Sequence, residues 1–307
     1  MKQPLTLGSS FFKGHGHGND YLVFEQGDAW HVTAETVQAI CHRHRGVGGD
    51  GIVAFLSKEA SEGRQEGRRE ESSPPPFRLR MFNPDGSEFE RSGNGLRVFG
   101  AYLFSKGAVE ARRGFPVEVG GEVVGMDILG EEPGGLLNVA VEMGIARFGI
   151  DAVGGRREAF GVDSTLDGPD GSPLELHLVS MGNPHCVVVR DELREEDLLE
   201  LGPFLTANRA FAAGTNVQLA QVRGAGEVQI LIWERGVGRT ASSGTSACAV
   251  ASACVRGGLL QAGRIQVGME GGSFTVQVSQ QMTVRLEGPV QPLLTGELTE
   301  EFLCGLS

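Results

Sequence analysis

The sequence predicts an α/β fold of the α+β kind, built as two pseudo-symmetric halves in which a curved, mostly antiparallel β-sheet wraps round a central helix. Three observations predict it. A chain of 307 residues exceeds one ordinary core and divides by default into two units of about 150 residues. Short β-rich stretches recur along it with few helical ones between, and its 47 glycines suit many tight turns. Finally, one pattern occurs twice: strand, turn, a Ser-Gly pair, then an apolar helix. The first copy is LRMFNPDGSEFERSGNGLRVFGAYL from Leu79, and the second is WERGVGRTASSGTSACAVASACV from Trp233 to Val255. Their serines, Ser92 and Ser243, stand 151 positions apart, so each half receives one. The expected halves are 1–134 with 288–307, and 135–287.

Taken in order, residues 5–12 and 21–25 read as strands, with HGHGND at 15–20 as the turn between them. Thr33 to His44 has helical spacing, with Val37, Ile40 and Cys41 on one face. The glycine-rich loop GVGGDG at 46–51 leads into a strand over 52–56. SKEASEGRQEGRREESSPPP at 57–76 reads as a solvated hairpin insertion without a functional role, and 77–82 is its partner strand. A helix is expected from Ser92 to Ser105, then strands at 116–119, 123–129, 137–143 and 176–179. SMGNPHCVVV at 180–189 is a strand broken by a Gly-Asn-Pro turn that presents Asn183 and His185 at a strand mouth. Two helical stretches follow at 195–201 and 203–206, then a strand pair at 214–222 and 228–233. Strands at 264–271, 273–278 and 282–286 and a helix at 299–303 complete the chain.

Composition narrows the function. With 27 basic against 39 acidic residues the net charge is -12, which opposes binding to a phosphate backbone, so nucleic acid is not an expected partner. No apolar run approaches the roughly 20 residues of a membrane span, and the first residues lack a signal-peptide core; a cytoplasmic protein without a membrane partner is expected. Five cysteines without a CxxC pair indicate neither a disulfide framework nor a zinc knuckle, and Cys248 and Cys254 are expected to pack within their helix. No His, Cys and carboxylate groups fall at a metal-ligand spacing. GHGHGN and GVGGDG lack the strand-to-long-helix context of a dinucleotide loop, and no lysine follows them as in a P-loop.

The two Ser-Gly helix starts carry the chemistry. A helix beginning near Ser92 or Ser243 aims its free backbone N–H groups and positive dipole end at the preceding loop, a ready cradle for a carboxylate. Glu88 lies four residues before Ser92 and Glu234 nine before Ser243, which suggests two halves facing one ligand. The plainer alternative is that both serines are ordinary N-caps and that Asn83 and Asn183, each before a proline, are turn residues. His15 and His17 also admit a plain loop role, His15 being the more plausible site neighbour, and His42 and His44 suit a helix end.

Seven ordered blocks together resemble the diaminopimelate epimerase family over essentially the whole chain: HGHGND at 15–20, RGVGGDG at 45–51, FNPDGSE at 82–88, SGNGLR at 92–97, SMGNPHC at 180–186, GTNV at 214–217, and ERGVGRT followed by SSGTSACA at 234–249. The resemblance implies a pyridoxal-independent amino-acid racemase fold, an isomerase that needs no cofactor, a small amino-acid partner and a possible homodimer. In that family two cysteines flank the α-carbon, one removing a proton as thiolate and the other delivering one to the opposite face. The blocks place those roles at Ser92 and Ser243. By the same resemblance Asn19, Asn83, Asn183, Asn216, Glu234 and Arg235 hold the substrate, and Gly93, Asn94, Gly244 and Thr245 supply donors to its carboxylate. His185 matches a family histidine near one catalytic residue, and His185 or Glu234 is the base a serine needs, because a hydroxyl is far less acidic than a thiol. Arg239 stands where the family carries an acidic residue. Arg91, Ser242 and Ser246 also depart from the pattern, which speaks for divergence of a whole site rather than two engineered changes.

Three readings follow. The chain is an epimerase acting on a diaminopimelate-like amino acid of lysine biosynthesis; or it is a diverged isomerase or dehydratase of a hydroxy amino acid on the same fold; or it binds an amino acid without turning it over.

Overall fold

The computed structural model describes residues 5–57, 74–89 and 91–306. The stretch expected to form a hairpin insertion lies, at 58–73, outside them. Two compact units result, Met1–Val141 with Pro289–Ser307, and Glu142–Gly288.

The first unit comprises β1 (Thr6–Gly16), β2 (Asn19–Gln26), α1 (Ala34–Cys41), β3 (Ile52–Ser57), β4 (Phe77–Phe82), β5 (Glu88–Phe89), α2 (Gly93–Ser105), β6 (Phe115–Val119), β7 (Glu122–Glu132) and most of β8 (Leu136–Ile145). β1 runs antiparallel to β2, and β2 parallel to β3 across α1. β4 runs antiparallel to β3 and β5, and parallel to β6 across α2. β6, β7 and β8 form an antiparallel meander.

In the second unit the order repeats: β9 (His177–Ser180), β10 (Pro184–Val189), α3 (Glu195–Thr206), β11 (Asn216–Gly224), β12 (Glu227–Glu234), β13 (Gly238–Thr240), α4 (Gly244–Arg256), β14 (Gly263–Met269), β15 (Gly272–Val278) and the start of β16 (Thr283–Glu297). Each pairing recurs with the same sense: antiparallel β9–β10, parallel β10–β11 across α3, antiparallel β11–β12 and β12–β13, parallel β12–β14 across α4, then the meander β14–β15–β16. The halves are thus pseudo-symmetric element by element. The end of β16 returns to the first unit and pairs with β1, and α5 (Glu300–Cys304) follows.

Each unit places one helix within its sheet and one outside. In α2 every residue from Gly93 to Leu103 is buried, and in α4 nearly every residue from Gly244 to Cys254. Burial on all sides marks a helix enclosed by sheet rather than laid on a surface. Leu198, Leu201 and Leu205 of α3 pack on the opposite sheet face, against Val217, Leu219, Cys186 and Val188. Val37, Ile40 and Cys41 of α1 do the same against Leu22, Phe24 and Ile52. β11 therefore alternates: Val217 and Leu219 face α3, and Gln218 faces α4.

Three expectations need correction. HGHGND is not a six-residue turn: β1 runs to Gly16 and β2 begins at Asn19, leaving a two-residue turn at His17 and Gly18, both with left-handed φ (53° and 85°). Alternating Gly and His carries no apolar period, so the strand ends were invisible. The two helical stretches around Pro203 are one helix, α3, because Pro203 sits on its solvent side, where the freed carbonyl can hydrate. β16 does not stop at residue 286 but continues to Glu297, with Pro292 beside a register shift against β1 that accommodates its missing N–H. Among the described residues no helix is long and apolar enough to cross a membrane.

Candidate active-site residues

The second unit gathers most of the expected site residues around the N-terminus of α4. Ser243 is the N-cap, with extended backbone, and its Oγ accepts from the Ser246 N–H at 3.5 Å. The carboxylate of Glu234, at the end of β12, interacts with the same hydroxyl. The β12–β13 hairpin brings this about, since Glu234 pairs with Gly238 and the chain then turns back to the helix start. Burial pushes the Glu234 carboxyl above its ordinary value, and the Ser243 hydroxyl opposes that shift. Among the described residues the N–H groups of Gly244 and Thr245 have no acceptor, so they stand open at the helix tip.

His185 occupies β10 and is completely buried. Burial pushes its imidazole down to about 3, with the Arg235 charge adding and the contact with Gln218 opposing, so the ring is uncharged near neutrality. Its Nε2 lies 3.0 Å from Asn183 Oδ1. Of the two bases expected for Ser243, Glu234 is the one that interacts with it, and His185 is bonded to Asn183 instead. Asn216 works on the backbone: its Nδ2 donates to Pro184 O at 3.0 Å and its Oδ1 accepts from Arg235 N at 2.9 Å, tying the β9–β10 turn to the end of β12. The Arg235 guanidinium donates to Ala213 O at 2.7 Å. Arg239 is engaged by Glu195 at 2.6 Å and Glu270 at 2.5 Å, so its charge is neutralised locally.

In the first unit Ser92 caps α2, with its Oγ accepting from Gly95 N at 3.1 Å and its own N–H donating to Met81 Sδ at 3.3 Å. The Gly93 and Asn94 N–H groups have no acceptor among the described residues. Asn94 Nδ2 donates to Asn19 Oδ1 at 2.9 Å, and Asn94 Oδ1 accepts from the fully buried Arg97. Asn19 in turn donates to Asp50 Oδ2 at 3.2 Å. Behind it Arg43 bridges Asp20 and Asp50 at 2.7 Å each, and Lys13 reaches Asp20 at 3.0 Å. Asn83 lies apart from this cluster, its amide donating to Ser87 Oγ at 3.0 Å within the β4–β5 turn. Glu88 is paired with Arg80 at 2.6 Å, so it does not repeat the role of Glu234. His15 accepts from Gly18 N at 3.2 Å and closes its own hairpin.

Sequence reading missed Gln218 and gave the Ser246 side chain no role. Both are fully buried polar residues, and Gln218 Nε2 donates to Ser246 Oγ at 3.0 Å. The available signals were a glutamine inside the apolar run of β11 and a serine three residues after a capping serine.

The fold is one shared with solved structures of a probable proline racemase, a hydroxyproline epimerase and a methylitaconate isomerase. A hydroxyproline epimerase from Agrobacterium vitis with bound trans-4-hydroxy-L-proline shares it at a TM-score of 0.64 and 13% identity, over 97% of this chain and 94% of that one. A phenazine biosynthesis protein from Bacillus anthracis shares it at 0.65 and 15%, over 94% and 98%. The chain belongs to the diaminopimelate epimerase family, whose model matches residues 11–149 and 177–292. It is 37% identical to diaminopimelate epimerase 2 of Nostoc sp. over 95% of this chain and 96% of that one, and 32% identical to the diaminopimelate epimerase of Heliobacterium modesticaldum over 94% and 99%. Its enzyme class is accordingly isomerase.

Proposed function

We propose that the protein is an epimerase of a diaminopimelate-type amino acid that uses hydroxyls at the positions where its family uses thiols. Ser243 at the cap of α4, with the β12–β13 hairpin leading from Glu234 to it and the two side chains interacting, carries this reading. A serine hydroxyl is too weak an acid to wait as an alkoxide, so it must lose its proton as it gains one from carbon. Glu234 answers that need: its carboxylate interacts with Ser243 and, raised by burial, is a stronger base than an exposed glutamate. In the step, the Cα–H bond breaks toward Ser243 Oγ while the Ser243 proton passes to Glu234. The electron pair spreads into the substrate carboxylate, where the open N–H groups of Gly244 and Thr245 would hold the developing charge. Asn19, Asn83, Asn183, Asn216 and Arg235 are the proposed holders of the remaining groups, with Ser92 as donor to the opposite face.

Incubation with LL-diaminopimelate in deuterated water tests this reading. Deuterium is expected at the α-carbon of recovered substrate and of meso product. Absence of uptake on this and on other candidate amino acids overturns it.

One observation favours a second reading, a one-sided isomerase. Asn83 stands 151 positions before Glu234, as Ser92 does before Ser243, so the first unit holds an amide where the second holds a carboxylate. Among the described residues of the first unit no carboxylate or imidazole bonds Ser92. Deuterium uptake with full retention of configuration, or conversion of a 3-hydroxy amino acid to a keto acid, selects this alternative.

A further inference from the structure

His185 is flanked by two amides, Asn183 and Gln218, that cannot both present oxygen to a neutral ring. Asn183 turns its carbonyl oxygen to Nε2 at 3.0 Å. Gln218 projects from the neighbouring strand β11 on the same sheet face as His185, two residues beyond its partner Asn216, and interacts with the ring. With Gln218 Nε2 spent on Ser246 Oγ, its Oε1 and the ring Nδ1 are both buried and both without a hydrogen-bond partner among the described residues. Two acceptor oxygens on one imidazole require both ring nitrogens to donate, which only the cation does. A completely buried ring with no carboxylate bonded to it does not hold that charge.

Two neutral arrangements remove the conflict, because an amide exchanges its donor and acceptor by a half-turn. In one, Asn183 turns: Nδ1–H donates to Gln218 Oε1 and Asn183 Nδ2 donates to Nε2. Gln218 then still donates to Ser246, whose hydroxyl hydrogen has no acceptor among the described residues although the side chain is fully buried. In the other, Gln218 turns: Ser246 O–H donates to Oε1, Nε2–H of Gln218 donates to Nδ1, and His185 Nε2–H donates to Asn183 Oδ1. Every donor in that chain finds an acceptor. Since a buried polar group without a partner is the costlier outcome, the second arrangement prevails.

We infer that Ser246 and Gln218 are positioning residues: they start a one-way hydrogen-bond chain, Ser246 to Gln218 to His185 to Asn183, that holds His185 as its Nε2–H tautomer and turns the Asn183 amide N–H away from the ring, toward an anionic ligand group such as a carboxylate. Ser246 stands where the first unit has Gly95, also 151 positions earlier, so this chain belongs to the second unit alone. The tautomer follows from the protein's own contacts; that the ligand is an amino-acid carboxylate rests on the proposed function.

Nitrogen-15 NMR of the histidine rings in the intact protein near pH 7 reads the tautomer directly. The expected result is a neutral His185 with its proton on Nε2; a proton on Nδ1, or a charged ring, overturns the inference whatever the enzyme's activity. Ser246→Ala removes the first donor, so His185 is expected to shift measurably toward the Nδ1–H form, and Ser246→Thr, which restores a hydroxyl, is expected to bring it back. An unchanged tautomer in a folded Ser246→Ala protein also overturns it. Should that variant not fold, the wild-type spectrum decides alone. Calorimetric titration with LL-diaminopimelate separates the two claims: no binding to the wild type speaks against the proposed function and leaves the tautomer result standing, whereas wild-type binding weakened about tenfold in Ser246→Ala supports both. Equal binding by the two proteins overturns the outward-facing role of Asn183.

Discussion

Glu234 is where a single side chain decides most. Its folded-state carboxyl titrates above the ordinary value because burial disfavours the anion, so the folded protein holds this proton to higher pH than the unfolded chain does. A raised carboxyl contributes nothing to the pH dependence well below pH 4.5, and destabilises increasingly as pH rises from there through the folded value. Glu234→Gln is therefore expected to unfold at higher denaturant than the native protein at pH 7 and at the same denaturant near pH 3. Its α-proton exchange should fall by about a hundredfold or more, the usual yield of a general base. Loss of exchange together with loss of stability would mean that Glu234 is a structural partner of Ser243 and not its base. The sequence made Glu234 legible as an acidic residue close to a Ser-Gly helix start. It hid Gln218 and Ser246, since nothing in a linear pattern says that one buried strand position faces the first turn of a helix nearly thirty residues on.

Elements were legible wherever period and cap coincide. Thr33, Ser92, Ser243 and Thr299 all accept from the N–H three residues on, so four helix starts could be read from hydroxyl residues preceding helical stretches. Ser92→Ala is expected to cost about 1 kcal/mol in unfolding free energy. Through the cap alone Ser243→Ala should cost less, because its capping contact is longer (3.5 Å against 3.1 Å). The helix–sheet contacts were not legible. Gly202 of α3 meets the ring of Trp233 so closely that a Cβ would lie 2.6 Å from its Cγ, so Gly202→Ala is expected to cost about 1–3 kcal/mol by overpacking. The knot joining β1, β2, α1 and β3 was equally hidden. Burial would raise the Asp20 carboxyl, but hydrogen bonds from Arg43 and Lys13 outweigh it and hold the group at about 2. A lowered carboxyl stabilises the fold above its unfolded value of 3.8 and loses that contribution as pH falls toward 2. Asp20→Asn should thus cost on the order of 2 kcal/mol at neutral pH, with the deficit vanishing in acid, as urea titrations at pH 7 and pH 2 would register. Asp50, raised by burial and by Asp20, shifts the opposite way and trims the net effect.

At the scale of the whole molecule, two Ser-Gly helix starts 151 residues apart mark a duplication that the strand pairings repeat one for one. The duplicated parts are nevertheless unevenly equipped, and only the contacts in the fold give those differences a meaning. Position 83 is an amide and 234 a carboxylate; position 95 is a glycine and 246 a serine; position 97 is a buried arginine bonded to Asn94, and 248 a buried cysteine. Thiols at the two capping positions would ask less of these surroundings than hydroxyls do. A free thiol titrates near 8.5 and is lowered further at a helix N-terminus, so a thiolate can form there before the substrate binds. Ser92→Cys combined with Ser243→Cys is accordingly expected to raise α-proton exchange and inversion of LL-diaminopimelate by about a hundredfold or more over the native protein. Each single change should give much less, since inversion needs an acid on one face and a base on the other. Both caps weaken with sulfur as acceptor, so the double variant should also melt at lower temperature, by the equivalent of about 2 kcal/mol. If the double variant folds and binds the substrate yet gains no inversion, the remaining differences, with Arg239 locked between Glu195 and Glu270 foremost, have carried the site to another substrate, and the one-sided isomerase becomes the better account.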